Sequence, residues 1–291
     1  MAKRKYGNDL LPMQAMILLV SAVLFMNCNS VTSRDESIKI SHIPAETAHP
    51  DSIVNDKQIP VLCYHQVRDW KSTDSKSERV YITPVAVFDA EMQTLHDSGY
   101  HSISPDQLIG YIVRRDPLPI HPVLITFDDA TASQYENALP ELNKVGYKAT
   151  FFIMTVVLGH KDYMSRADVA ALSQQGHVIG CHTWDHHNVS TYTESDWVTE
   201  LEKPTAELEK ITGKPIKYFA YPFGLWNKAA ADTIKAHGYT AAFQLWGKND
   251  DELPLYTIRR TLVSGTWNPA ELLKAIHRIE KQPEPITQAR F

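Results

Sequence analysis

Short apolar runs alternate with segments of helical periodicity along this chain, and this rhythm constrains the fold more than any other feature. Strands followed by helices at such spacing are typical of parallel β/α units. The pattern predicts an α/β fold, a distorted (β/α) barrel of about seven parallel strands. The predicted strands occupy residues 59–65, 80–83, 100–104, 122–127, 148–154, 177–180, 216–222, 239–245 and 256–263.

Helix boundaries follow from local signals between these strands. Thr83 and Pro84 give a capping hydroxyl and a proline at the first helical position, and Gly99 ends the segment that they start. Pro204 lies inside a long polar helix and predicts a kink or a break there, because proline has no N–H to donate. The further predicted helices start at residue 104 or occupy residues 133–145, 165–175, 195–212, 227–237 and 268–280.

The N-terminus has the pattern of an export signal. Basic residues 3–5 precede an apolar stretch, residues 15–26, which is shorter than the roughly 20 residues of a spanning helix. Cys28 resembles the lipid-acceptor cysteine of bacterial lipoproteins, although Asn27 stands where such signals usually have a small residue. Residues 1–28 are therefore predicted to be a signal that leads to a membrane-anchored lipoprotein of the bacterial cell envelope. A soluble exported protein, periplasmic or secreted, and a retained anchor are the alternatives.

The rest of the chain divides into a tether and a body. Residues 29–57 are polar and predict a flexible tether, and residues 58–291 predict one folded domain. Cys63 and Cys181 are more typical of small buried residues than of a disulfide framework. The formal net charge is only −5, and no basic run of the kind that binds phosphate backbones occurs, so nucleic acid is not an expected partner.

Polar residues gather where the predicted strands end, and in a barrel chemistry is found at these ends. An acidic pair such as Asp128 and Asp129 could simply mark a turn, but His65 also follows a strand. His182 and His186 are four residues apart and share one face if their loop makes a helical turn. Two imidazoles and a carboxylate leave positions open on a divalent ion, which suits zinc, iron, cobalt or nickel.

Three motifs in order, TFDDA at 126–130, HTWDHH at 182–187 and FAYPFG at 219–224, resemble those of the polysaccharide deacetylases of carbohydrate esterase family 4, the NodB-homology domain. The resemblance covers about residues 59–265. The opening YHQV at 64–67 further resembles the branch that deacetylates poly-N-acetylglucosamine exopolysaccharides, in which a histidine motif has moved to the N-terminal strand.

The resemblance implies a role for each motif residue. Asp128 would be the general base and His65 the general acid of a metal-dependent hydrolysis. The backbone N–H of Phe223 would help to hold the oxyanion. Apart from the resemblance, aromatic side chains near the strand ends, Trp184 first and also Tyr221, are expected to stack on sugar rings. The implied metal ligands, for zinc first and for iron, cobalt or nickel otherwise, are Asp129, His182 and His186.

Several positions depart from the family pattern. Ala130 stands where glycine is common, so the turn must tolerate a side chain. Ala220 stands where many relatives have an arginine, which predicts that Asp128 lacks its usual partner. His187 is an alternative to His186 as ligand, because some relatives use the longer spacing. A late aspartate–tryptophan motif is not evident, and Trp246, Asp250 and Asp251 are poor candidates.

The expected function is the metal-dependent removal of N-acetyl groups from an N-acetylglucosamine-containing polysaccharide. An O-acetyl esterase acting on xylan or another acetylated glycan would need the same site. A surface glycan-binding lipoprotein with a decayed site is the alternative from a different class. In each case the expected partners are an acetylated glycan and the membrane.

Overall fold

The computed structural model describes residues 58–245 and 247–281. Its strands are β1 (Val61–Tyr64), β2 (Gln66–Val67), β3 (Ile82–Thr83), β4 (His101–Ser102), β5 (Pro122–Phe127), β6 (Thr150–Ile153), β7 (Val178–Cys181), β8 (Tyr218–Ala220), β9 (Ala241–Gln244), β10 (Ile258–Arg259) and β11 (Thr261–Leu262). Its α-helices are α1 (Val85–Asp97), α2 (Pro105–Arg114), α3 (Leu139–Lys144), α4 (Arg166–Gln174), α5 (Glu194–Trp197), α6 (Lys203–Thr212), α7 (Lys228–Ala236) and α8 (Pro269–Glu280).

Nine of the described strands form a parallel sheet that is nearly closed into a barrel, with the helices around it, and β2 and β3 pair separately. The order of hydrogen-bonded strands is β10-β9-β8-β7-β6-β5-β1-β11, and β4 adds to β5. Strand β10 pairs with β9 and strand β11 pairs with β1, so one short segment joins the two edges of the sheet. If β10 and β11 are counted as one interrupted strand, the barrel path has seven strands. The predicted fold class is therefore confirmed.

Strand β5 shows why the sheet forms as it does. Five of its six residues are buried, as expected for a parallel strand covered on both faces. Its one polar interior side chain, Thr126, donates a hydrogen bond to the carbonyl of Leu62 on β1 at 2.7 Å. The ring of Phe127 stacks on that of Phe151 on β6, with centroids 4.8 Å apart. The strand therefore ends in a packed core that fixes where the next residue, Asp128, must lie.

Two prolines lie just after widened turns within helices. Pro204 follows a π-turn at Val198–Glu202, in which the N–H of Lys203 bonds to the carbonyl of Val198. Pro140 likewise follows a π-turn at Gln134–Ala138. A proline inside a helix removes one backbone bond and crowds the preceding turn, and a wider turn relieves both problems. The expected break at Pro204 is thus a local widening, and the helical path continues from α5 into α6.

Some predictions concern residues that the structure does not describe. The signal at 1–28, the tether at 29–57 and Trp246 lie outside the described residues, so these assignments stay predictions. Within the described part of the chain, none of the helices has the length and hydropathy needed to span a bilayer. Cys63 and Cys181 are both buried free thiols, as predicted.

Candidate active site

The carboxyl ends of β1, β5 and β7 meet at one cavity of about 470 Å³. Parallel strands place these ends on the same rim of the barrel, so residues far apart in sequence come together there. The polar and aromatic lining consists of His65, Gln66, Arg68, Glu78, Tyr81, Asp128, Asp129, His182, His186 and Phe223.

Three predicted ligands converge at this cavity. The Nε2 atoms of His182 and His186 each lie 3.5 Å from Asp129 Oδ1. Nδ1 of His182 lies 2.7 Å from the carbonyl oxygen of Ala220 and must donate to it, so Nε2 is the nitrogen that faces Asp129. Within the described residues, Asp129 Oδ1 is buried and has no hydrogen-bond partner. An orphaned carboxylate oxygen between two imidazole nitrogens fits a divalent transition metal.

The backbone around these ligands is strained. Asp129 and Ala130 have φ angles of 76° and 58°, and Thr183 and His186 have φ angles of 66° and 69°. The left-handed region costs an ordinary residue about 1–2 kcal/mol, and Ala130 therefore adopts at a cost the turn that glycine makes freely. The two histidines approach each other through this loop rather than through a helical turn. A hydrogen bond of 2.9 Å from the N–H of His186 to Oγ1 of Thr183 closes the loop.

Asp128 has an arginine partner, contrary to the prediction from Ala220. Arg260, at the junction of β10 and β11, donates to both carboxylate oxygens at 2.6 and 2.7 Å. Both side chains are buried. Burial raises the pKa of Asp128, but the guanidinium of Arg260 outweighs this effect and holds that pKa well below its usual range. The arginine comes from the segment between β10 and β11 and not from position 220 on β8. At this segment the chain passes from pairing with β9 to pairing with β1.

His65 and Asp128 are tied together by a residue that the motifs did not include. Gln134 lies on the π-turn at Gln134–Ala138. Its side-chain amide donates to the carbonyl of His65 at 2.9 Å and to the carbonyl of Asp128. The side chain of Gln134 thus links the residues that follow β1 and β5. The ring of His65 contacts that of Tyr81, with centroids 5.1 Å apart, and Tyr81 is 44% exposed.

The sequence motifs do not identify three residues of the site, Arg260, Gln134 and Tyr81, and the reasons differ. Arg260 left a signal, because a charged residue inside the apolar strand YTIRRTLV requires a buried partner. Gln134 and Tyr81 left none, because nothing in a single polar or aromatic side chain shows which distant residue it contacts.

The remaining predicted residues fall in different places. His187 is exposed, and its Nδ1 lies 2.8 Å from an Asp185 oxygen, so the structure brings His186 rather than His187 to Asp129. Tyr221 is fully buried and donates to the carbonyl of Tyr256, which corrects the expectation that it contacts substrate.

Trp184 and Phe223 differ in their relation to the cavity. Trp184 is partly exposed but is not part of the cavity lining, so the structure gives no support to its predicted contact with substrate. Phe223 lines the cavity with a φ of 58°, and its ring centroid lies 4.4 Å from that of His186. Among the described residues, Asp250 serves a local turn, where its carboxylate accepts bonds from the N–H groups of Glu252 and Leu253.

Comparisons with known proteins point to one family. The family model described as polysaccharide deacetylase matches residues 115–242. The Bacillus subtilis protein YxkH, which bears a polysaccharide deacetylase name, is 28% identical over 71% of this chain and 72% of its own length. The poly-β-1,6-N-acetyl-D-glucosamine N-deacetylase of Staphylococcus aureus is 29% identical over 70% of this chain and 78% of its own length.

Solved structures share the fold. The deacetylase PplD of Streptococcus pyogenes, in complex with acetate, superposes with a TM-score of 0.68 at 23% identity, covering 75% of this chain and 98% of that one. IcaB from Ammonifex degensii superposes with a TM-score of 0.63 at 23% identity, covering 78% of this chain and 98% of that one.

Proposed function

Because this chain belongs to the polysaccharide deacetylase family, we propose that it is a metal-dependent hydrolase that removes N-acetyl groups from an N-acetylglucosamine-containing polysaccharide. One observation carries the metal dependence. Asp129, His182 and His186 converge with their ligand atoms within 4.8 Å of one another. Asp128 lies beside them, with Oδ2 3.9 Å from Nε2 of His182, and is held by Arg260.

The donor set decides which ions are suitable. One carboxylate and two neutral imidazoles leave coordination positions open, which suits zinc first and iron, cobalt or nickel as alternatives. When bound there, such an ion supplies Lewis-acid polarisation of the acetyl carbonyl and acidifies water. Burial raises the pKa of Asp129, but the surrounding histidines outweigh it and lower that pKa, so the ligand is ionised and ready.

The protein residues would move the protons. Asp128 accepts a proton as water attacks the acetyl carbonyl, and the Arg260 fork keeps its carboxylate oriented. His65, when protonated, gives a proton to the departing amine nitrogen. The oxygen of the attacking water stays bonded to the acetyl carbon, and the C–N bond of the amide breaks. The products are acetate and a free amine. The backbone N–H of Phe223 would stabilise the oxyanion.

The cavity lining supports a sugar substrate. Tyr81 and Phe223 are large side chains that are 44% and 54% exposed, and both line the cavity. Each also packs edge-on against a site histidine, Tyr81 against His65 and Phe223 against His186. Exposed aromatic rings that are held in place can stack on the apolar face of a pyranose. The substrate in the name of the Staphylococcus aureus relative, poly-β-1,6-N-acetyl-D-glucosamine, makes this the first polymer to test.

Product analysis by mass spectrometry tests the proposal. The purified protein is incubated with N-acetylglucosamine oligomers and with acetylated xylan, after chelation and after the addition of zinc, iron, cobalt or nickel in turn. Loss of acetyl groups from the amino sugar, abolished by chelator and restored by one of the ions, is the expected result. Acetate release from xylan alone would replace the proposal with O-acetyl esterase activity. Absence of any acetate release would favour a glycan-binding role.

Residues 1–28 support a further proposal about location. We infer that the protein is exported and anchored through Cys28 in the bacterial cell envelope, because a basic start and an apolar stretch precede that cysteine. Metabolic labelling with a radioactive fatty acid tests this. Label that is lost in Cys28→Ser is expected, and an unlabelled protein recovered from the medium would contradict it.

A further inference from the structure

The turn that carries the two histidine ligands is bonded to one buried carboxylate. Glu200 Oε2 accepts hydrogen bonds from the backbone N–H of Trp184 at 3.2 Å and of Asp185 at 3.3 Å. The hydroxyl of Tyr192 lies 3.3 Å from the same oxygen and 3.0 Å from the carbonyl oxygen of His187, the nearer acceptor for its one hydrogen. Glu200 is only 6% exposed. Two backbone N–H groups, from residues that lie between His182 and His186 in the loop, therefore bond to one carboxylate oxygen.

The position of Glu200 depends on the π-turn at Val198–Glu202. Glu200 lies in the middle of Val198–Glu202, the wide turn that precedes Pro204. A π-turn inserts one residue into a helix and rotates the side chains that precede the insertion relative to those that follow it. Gln134 lies on the other π-turn and likewise reaches into the site, where it binds the backbone carbonyls of His65 and Asp128. The two widened helices thus each direct one buried polar side chain to a loop of the site.

We propose that Glu200 is a positioning residue for the metal site, whose carboxylate anchors the Trp184–Asp185 peptides and thereby sets the separation of His182 and His186. The inference rests on the proposed metal dependence. Thr183 and His186 both have left-handed φ angles, and such a turn persists only where the surroundings hold it. The N–H of His186 bonds to Oγ1 of Thr183 inside this turn. Glu200 holds the same turn from the neighbouring helix through the N–H groups of Trp184 and Asp185.

Other roles for this carboxylate fit less well. Asp185, His187 and Glu200 have ligand atoms close enough together to suggest a second ion. The bonded oxygen of Glu200, however, already accepts from two backbone N–H groups, and Asp185 is already paired with His187 at 2.8 Å. The contacts therefore describe a support for the loop rather than a second site.

Metal affinity of the purified full chain tests this role separately from folding. Dissociation constants for Co²⁺ are measured by calorimetry for wild type, Glu200→Ala and Glu200→Gln, together with the absorption spectrum of the bound cobalt. Removing a residue that supports a ligand typically weakens metal binding about 10–100-fold, and we expect this for Glu200→Ala. Glu200→Gln keeps one amide oxygen as acceptor but loses the charge, and a weakening of roughly threefold is expected. Amide exchange at Trp184 and Asp185 should rise in metal-free Glu200→Ala.

Glu194→Gln is the matched control. It removes one carboxylate from the exposed face of α5 on the same helical path, and its Co²⁺ affinity should equal that of wild type. A folded Glu200→Ala that binds Co²⁺ within about twofold of wild type would overturn the proposal, even if its melting temperature falls. If Glu200→Ala does not fold, unchanged affinity in Glu200→Gln overturns it equally. A folded wild-type protein that binds none of the candidate metals would instead remove the proposed function itself.

Discussion

The candidate active site has two halves that are built in opposite ways. In the base half, which consists of Asp128, Arg260 and Cys63, the protein supplies every contact to the carboxylate. Arg260 donates to both oxygens, and the thiol of Cys63 lies 3.5 Å from Oδ2. In the metal half, which consists of Asp129, His182 and His186, a buried carboxylate oxygen has no hydrogen-bond partner among the described residues. Two adjacent aspartates thus have opposite requirements.

The difference shows how one dipeptide can perform two tasks. Arg260 occupies one lone pair on each oxygen of Asp128 and leaves the others able to accept a proton, while the orphaned oxygen of Asp129 faces two imidazole nitrogens. The end of β5 produces this split, because the N–H of Asp128 still bonds to the carbonyl of Tyr64 on β1 at 3.1 Å, whereas Asp129 turns away with a φ of 76°. Substitutions in each half should therefore separate metal binding from proton transfer.

The largest effect is expected in the metal half. Asp129→Asn removes the charge that neutralises the cation, so both metal affinity and turnover should fall, the latter by about 10³-fold or more. Metal content by elemental analysis and kcat/KM on N-acetylglucosamine oligomers measure the two effects. Metal content equal to that of wild type would show that Asp129 is not a ligand.

Substitution in the base half should leave the metal in place. Asp128→Asn retains the shape of the side chain but cannot accept a proton at neutral pH, so kcat should fall about 10²–10⁴-fold with unchanged metal affinity. The variant also leaves Arg260 buried without a counter-charge, and such a loss typically costs about 3–5 kcal/mol of folding free energy. Urea denaturation of the variant measures that cost. Wild-type turnover in Asp128→Asn would exclude Asp128 as the base.

A smaller loss is expected from Arg260→Lys. Lysine keeps the positive charge but cannot form the bidentate pair, so Asp128 would be less rigidly oriented and its pKa less strongly lowered. We expect kcat/KM to fall about 10–100-fold and the acid limb of its pH profile to move to higher pH. Arg259→Lys is the control, because that neighbouring side chain is exposed on β10. Equal activity and an unmoved acid limb in Arg260→Lys would show that the ion pair serves stability alone.

The sequence predicted the fold better than it predicted the base half. Periodicity and the order of the strands were sufficient for the barrel, because alternating β and α segments permit few arrangements. The positions that converge in the metal half, Asp129, His182 and His186, were all named from local motifs. Arg260 was not, because its pairing spans 132 residues and depends on how β10 and β11 close the barrel. The prediction that Asp128 lacks a partner was wrong for that reason.

Tyr221 illustrates a second limit of sequence reasoning. It follows strand β8 within the FAYPFG motif, yet its ring is fully buried, whereas Phe223 two residues later lines the cavity. The left-handed φ of Phe223 turns the backbone between them. The residue type alone reveals neither this left-handed conformation nor which of the two aromatic rings faces the cavity.

Metal binding should depend on pH through His182. Burial lowers the pKa of His182, but Asp128 and Asp129 outweigh it and raise that pKa above its ordinary value of 6.5. Burial lowers the pKa of His186 to about 4, so this ligand is neutral throughout the working range. Because a ligand must lose its proton to bind, affinity for Co²⁺ should fall about tenfold per pH unit below the pKa of His182. Calorimetry between pH 6 and 9 measures the slope.

The base half should not contribute to that slope. The folded-state pKa of Asp128 is lowered, so its stabilising contribution is present above the unfolded value of 3.8 and is lost only as pH falls below it. Between pH 6 and 9 the Asp128–Arg260 pair does not titrate. A Co²⁺ affinity that is flat over this range would contradict the assignment of His182 as the titrating ligand.

The smallest effect is expected at the rim of the cavity, which two exposed aromatic rings border. Tyr81 packs against His65 and Phe223 against His186. Tyr81→Ala removes one exposed ring without touching the metal half, so KM for N-acetylglucosamine oligomers should rise about 2–10-fold, with a smaller change in kcat and none in metal affinity. Tyr81→Phe keeps the ring and should resemble wild type. Val198→Ala, an exposed apolar residue that is not part of the cavity lining, controls for lost surface area. If Tyr81→Phe is as impaired as Tyr81→Ala, the hydroxyl rather than the ring contacts the substrate, and the stacking role of this rim is wrong.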